Sequence, residues 1–151
     1  MERLLRTIFW GSLLGGMLWI RSSGVHAQHT ERVLVTVIEA SNAKTDFDVD
    51  NDEYRDQLFK LFSYTGYSQL DKTVADLERS KRQLVKLPND YELLLTLQGE
   101  EADRVLVQAV IRKGNSQFVD TILAILRPGV VFLGGPPSED GTIIIVLEIG
   151  F

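Results

Sequence analysis

The sequence predicts an α+β fold, mainly antiparallel β: a sandwich or small open barrel of about seven strands, with one α-helix after the first strand. Three observations carry this expectation. Runs rich in Val, Ile and Leu recur at strand length. Clusters containing Gly, Pro, Asn or Asp separate them. One segment alone places its apolar residues at helical spacing.

Taken in order, Arg32 to Ala40 (RVLVTVIEA) is apolar on both faces, which suits a central strand covered on two sides. Asn42 to Asp48 breaks the pattern. Tyr54, Leu58, Leu61 and Phe62 then fall on one helical face, so a helix is expected from about Asn51 to Phe62, capped by Asp50 or Asn51. Tyr67 to Gln83 fits two readings, because Leu70, Val74 and Leu77 make a helical stripe while Thr73, Ala75 and Leu77 make a strand face. A short strand to Leu87, a Pro88-Asn89-Asp90 turn and a strand from Tyr91 to Leu97 follow. Arg104 to Arg112 alternates well, and Lys113-Gly114-Asn115-Ser116 closes a hairpin into Phe118 to Leu126. Arg127-Pro128-Gly129 turns the chain into Val130 to Leu133. A Gly134 to Gly141 loop leads to the last strand, Thr142 to Ile149.

The first 27 residues have the pattern of a cleavable export signal: Arg3 and Arg6, an apolar run from Thr7 to Ile20, and small residues at Val25 and Ala27. The run is shorter than the ~20 residues that a bilayer core requires. The expected mature protein is therefore a single β-rich domain, 28–151, periplasmic or extracellular, with no stable membrane insertion after cleavage. Removing Arg3, Arg6, Arg21 and Glu2 takes the 16 basic and 21 acidic residues to 13 and 20, a charge of −7 that disfavours nucleic acid. The mature part holds no Cys, Met or Trp, and its one histidine is His29, next to the new terminus. Ser-His-Asp and Cys-His catalysis, zinc and copper sites, and disulfides all lose their usual residues.

The remaining candidate chemistry is carboxylate and loop chemistry. Asp46, Asp48, Asp50 and Asp52 alternate along a predicted loop as calcium ligands can, although Asn51 and Gln57 stand where an EF-hand needs Gly and Glu. A solvated acidic loop ending as a helix cap explains the same residues. Ser41-Asn42-Ala43-Lys44 matches S-x-x-K formally, without the Ser-Asp-Asn and Lys-Thr-Gly elements that chemistry needs. Asp120 and Glu148 interrupt apolar strands at positions that a wet strand face explains. The loop Gly134, Gly135, Pro136, Pro137 lacks the ending and helix of a phosphate loop, but it could contact a partner, as could Tyr64 and Tyr67. The terminal alternation Ile143, Ile145, Leu147, Ile149, Phe151 would suit an outer-membrane barrel strand, yet Ile144 and Val146 make the opposite face apolar too.

Ala40-Ser41-Asn42, Phe62-Ser63-Tyr64-Thr65-Gly66-Tyr67, Leu87-Pro88 and Gly134-Gly135-Pro136 before a final apolar strand together resemble a group of small exported, uncharacterised bacterial β-rich proteins. That resemblance implies a strand rather than a helix around Leu70 to Leu77. It implies no activity, cofactor or catalytic residue. The expectation from these readings is an exported, non-enzymatic binding or assembly module that contacts envelope or extracellular proteins through exposed loops or an open sheet edge. The alternatives are a carboxylate-based hydrolase and a calcium-stabilised binding domain. Mass spectrometry of the protein recovered from its host should place the N-terminus at Gln28, and an intact Met1 to Ala27 segment in the working protein would overturn the export reading.

Overall fold

Side chains on a strand alternate between its two faces, so the pairing register decides which apolar rows meet. The computed structural model describes residues 29–151; the expected leader lies outside the described residues. The elements in order are β1 (Thr30–Ser41), β2 (Phe47–Asp48), α1 (Tyr54–Leu61), β3 (Gly66–Glu78), β4 (Arg82–Lys86), a 3-10 turn (Pro88–Asp90), β5 (Glu92–Glu101), β6 (Arg104–Lys113), β7 (Ser116–Leu126), β8 (Gly129–Pro137) and β9 (Gly141–Ile149). They form two sheets, one of five strands in the order β2-β3-β1-β9-β8 and one of four in the order β4-β5-β6-β7. Every pairing is antiparallel except the two-residue match of β2 with β3.

The two sheets face each other across one apolar core. Val33, Val35 and Val37 of β1 and Ile143, Ile145 and Leu147 of β9 meet Leu93, Leu95, Val105, Val107 and Ile111 from the four-stranded sheet, all essentially inaccessible to water. The arrangement is sandwich-like and is not a closed barrel. It differs from expectation in two details. There are nine strands rather than about seven, and the helix follows the short β2 rather than β1 directly.

A second core lies on the outside of the five-stranded sheet, where Ile38 and Ala40 of β1 and Ile144 and Val146 of β9 point away from the first core. Left wet, that row would forfeit roughly 1.5 to 3 kcal/mol per large side chain. Helix α1 covers it with Tyr54 and Leu58, and Val49 and Tyr67 complete the cluster. The helix is short and its ends are tied by side chains. Asn51 Oδ1 accepts from the Glu53 amide at 3.0 Å. At the other end the Tyr67 hydroxyl lies 3.0 Å from the carbonyls of both Leu58, which also accepts the Phe62 amide at 2.9 Å, and Phe62.

Tyr67 to Gln83, which fitted both helix and strand, is strand β3 running into β4. A β-bulge interrupts the strand, where Val37 pairs with Asp71 but Ile38 pairs with Gln69 and leaves Leu70 extra; of the helical stripe, Leu70 and Val74 are exposed and only Leu77 is buried. The expected loop from Gly134 is also corrected, because β8 continues through Pro137 and only Ser138, Glu139 and Asp140 remain as its connection to β9. Pro136 and Pro137 lack an N–H, and they are tolerated because β8 is an edge strand. Gly141 starts β9 so close to β1 that a Cβ there would lie 1.8 Å from the Ala40 carbonyl oxygen.

One buried polar group is out of place in the outer core. The Thr36 hydroxyl, on a residue 1% exposed, makes no hydrogen bond of standard geometry, although it stands near enough to the Tyr54 phenol to favour its charged form as the weakest of the groups around it. Thr36→Val should therefore raise stability by about 1 to 3 kcal/mol, measured by urea unfolding. A loss of stability would show that the hydroxyl is satisfied.

Candidate interaction surface

The four aspartates do not converge on one point. Asp46 uses its carbonyl to accept from the Tyr67 amide at 3.0 Å, and Asp48 sits in β2 opposite Ser68. Asp50 Oδ2 accepts from Gln69 Nε2 at 2.8 Å, and Asp52 lies in the turn that enters α1. Among the described residues, the set of metal-capable side chains whose ligand atoms lie within 4.8 Å of one another is instead His29, Glu31 and Glu100. Nothing in the sequence pattern points to this set, because its members come from the start of the described chain, from β1 and from β5. It already has a cation: Arg127 Nη2 donates to Glu31 and, at 3.1 Å, to Glu100.

That cluster is a clamp between the sheets, since Glu31 belongs to the five-stranded sheet and Glu100 to the four-stranded one. The Arg127 guanidinium holds the Glu100 carboxyl below the usual range, with smaller contributions from His29 and Arg79. Arg127 also donates its own amide to the Asp103 carbonyl at 2.8 Å. Fixed at backbone and side chain alike, it pins the turn that carries the chain from one sheet to the other.

The residues proposed for partner contact separate once placed. Tyr67 is wholly buried and Pro136 is buried, so neither offers a surface; the tyrosine is held inside because its ring packs against Phe59 and its hydroxyl serves the helix end. Tyr64 and Gly135 are half-buried, while Gly134 and Pro137 are exposed along the β8 edge. Ser41 is buried, donates to the Asp140 carbonyl at 2.9 Å and accepts from the Ala43 amide at 3.0 Å. Its hydroxyl ties β1 to the β8–β9 turn, which is a structural use.

Two carboxylates that the sequence singled out have defined partners. Glu148 accepts a hydrogen bond from the Tyr54 hydroxyl at 2.5 Å and so joins β9 to the helix above it. Burial, followed by that carboxylate, pushes the Tyr54 phenol from 10.0 up to about 12. Asp120 lies exposed on the outer face of the four-stranded sheet and accepts from Gln108 Nε2 at 2.8 Å and Gln117 Nε2 at 3.3 Å. Gln98 donates to Gln108 at 2.9 Å, and Arg112 donates to Glu92 at 2.8 Å. Gln108, Arg112, Gln117 and Asp120 line a shallow hollow of about 140 Å³ together with Arg82 and Thr96.

Beside the hollow runs β7, the terminal strand of its sheet. It is 11 residues long with a single charge, Asp120, and it leaves Phe118 53%, Ile122 60% and Leu126 49% exposed. Ile122, Ala124 and Leu126 pair with Gln108, Leu106 and Arg104, so they stand on the outer face, whereas Val119 and Leu123 turn inward against the core. Asp120 marks this face as the wet one in the sequence, but Ile122, Ala124 and Leu126 on it are as apolar as the covered Val119, Leu123 and Ile125, so the exposed apolar row shows only in the packing. Comparison with known protein families, curated proteins and solved structures finds no match to this chain.

The Tyr54 phenol sets one pH dependence. Its folded value lies above its ordinary one, so the folded state keeps a proton that the unfolded chain gives up. The stabilisation is complete below pH 10 and is lost as pH rises through about 12. Urea unfolding across that range should show a steep loss of stability. Tyr54→Phe should flatten the loss in part, because burial raises the Tyr67 phenol as well. An unchanged slope in that variant would rule out the Tyr54–Glu148 bond as its source.

Proposed function

We propose that the chain is an exported binding or assembly module that meets an envelope or extracellular protein at the free edge of β7. The leader pattern over residues 1–27 supports export. The observation that carries the contact is a contrast among strand edges. An open edge exposes unpaired N–H and C=O groups, and proteins usually blunt it by shortness, charge or proline. β2 is two residues long, β4 is five residues with Arg82 and Lys86 at its ends, and β8 ends in Pro136 and Pro137. β7 has no such protection. It is long, free of proline and nearly free of charge, and its exposed side chains include Phe118, Ile122 and Leu126.

Strand addition at such an edge draws its affinity from main-chain hydrogen bonds and its selectivity from alternate side chains. The hollow beside β7, with Gln108, Arg112 and Asp120 on its wall, offers polar contacts to the partner's flanking residues. Ile122→Lys and Leu84→Lys, the latter on the β4 edge, both replace exposed residues and should change stability by no more than about 0.5 kcal/mol. In affinity capture from the native envelope, the wild-type and Leu84→Lys proteins should retain a stoichiometric partner that Ile122→Lys loses. Equal capture by all three would overturn the β7 reading.

A further inference from the structure

We infer that the hollow on the outer face of the four-stranded sheet binds one neutral sugar ring, held by its vicinal hydroxyls between Arg82 and Asp120. The inference concerns the sheet face, goes beyond the reading of the β7 edge and does not depend on it. It starts from the register. Arg82, Thr96 and Gln108 fall side by side across β4, β5 and β6, and the next row holds Leu84, Leu94, Val110 and Asp120. Alternation puts both rows on the face turned away from the core. The hollow they enclose measures about 140 Å³. Sites for drug-sized ligands begin near 300 Å³, so this one takes a single ring rather than a chain.

The floor is apolar although the face is wet. Leu94 points away from the core and belongs to neither apolar cluster, yet it is only 7% exposed, and Val110 beside it is half-buried. Together they form an apolar bottom under polar walls.

The walls have opposite capacities. Asp120 accepts from Gln108 on Oδ1 at 2.8 Å and from Gln117 on Oδ2 at 3.3 Å. A carboxylate offers about four lone-pair sites, so each oxygen keeps one free, and the two amides fix the plane in which they point. Two adjacent acceptors of fixed direction suit two adjacent hydroxyl donors. A peptide backbone, with one N–H per residue, does not match them. On the opposite side Arg82 brings a fork of N–H donors, and among the described residues no carboxylate pairs with it. Those donors meet the oxygens at the other side of the same ring.

Charge excludes simpler ligands. An anion drawn to Arg82 would also meet Asp120 and Glu92, which already holds Arg112 at 2.8 Å. A cation would meet two arginines. A pyranose carries no charge, donates and accepts through each hydroxyl, and lays its C–H face on Leu94 and Val110. The hollow is shallow, so the affinity is millimolar.

Nuclear magnetic resonance of the isotope-labelled exported protein tests this. The probes are the methyl glycosides of glucose, galactose and mannose, with acetate as the anionic control. Each sugar should shift the side-chain amides of Gln108 and Gln117 and the backbone amides of Thr96 and Asp120, with saturation in the millimolar range. Arg82→Ala and Asp120→Asn, both at exposed positions, should each weaken binding by about tenfold or more, because each removes hydrogen bonds to a charged group. Glu139→Gln, on the exposed β8–β9 turn, should change nothing. Circular dichroism of both site variants should match the wild type, so that a lost response reports the hollow and not the fold. No shift with any of the three sugars, shifts that survive in both variants, or shifts given by acetate alone would overturn the assignment.

Discussion

The structure depends on a sheet that must be dry on both sides. Among the described strands, β1 and β9 carry the longest runs of consecutive buried residues, Val35 to Ile38 and Ile143 to Leu147. A strand with that pattern has no face to give to water. It can only sit in the middle of a sheet with cover above and below. The four-stranded sheet supplies one cover, and the eight-residue helix with Val49 and Tyr67 supplies the other. An isolated helix so short would not persist in water; this one exists because the outer row of Ile38, Ala40, Ile144 and Val146 lies beneath it.

Polar groups are then placed where they hold covers to sheets. Tyr67 closes the helix end from below, Tyr54 reaches across to Glu148, and Ser41 fastens β1 to the turn that starts β9. At the opposite end of β1, Arg127 draws Glu31 and Glu100 together across the two sheets. The carboxylates and hydroxyls that stood out as chemical candidates are, in these cases, the fastenings of the sandwich. Among the described residues, the β7 edge is where exposed apolar side chains coincide with an unpaired strand edge.

Much of the fold was legible because local signals and tertiary packing agreed. The β6–β7 hairpin, with its Lys113 to Ser116 turn, and a helix within the expected span 51–62, though only over Tyr54–Leu61 and with Glu53 rather than Asp50 or Asn51 at its N-cap, follow from alternation, turn chemistry and helical spacing. Agreement failed at three places for separate reasons. In β3, Leu70 and Val74 are exposed and only Leu77 is buried, so an apolar spacing that no helix accounts for imitated a helix stripe. Gly134 to Pro137 has the composition of a loop, yet edge position lets it pair with β9. The aspartates from 46 to 52 suggested one site, but β2 and the helix entrance send them to different neighbours. The Arg127 cluster was not legible at all, since its members are 96 and 27 positions apart in the chain.

The amino-acid order alone determined most of the segments that extend, the turn that closes the β6–β7 hairpin and which strand must be central. These are properties of neighbouring residues, set by backbone preference and by the two-residue and 3.6-residue periods. Only the tertiary structure decided which apolar face is covered, which edge is left open and which charges meet. Those outcomes depend on elements far apart in the chain. Ile122 and Leu123 are equally apolar neighbours in β7, and the position of the other sheet alone leaves one facing solvent and turns the other against the core.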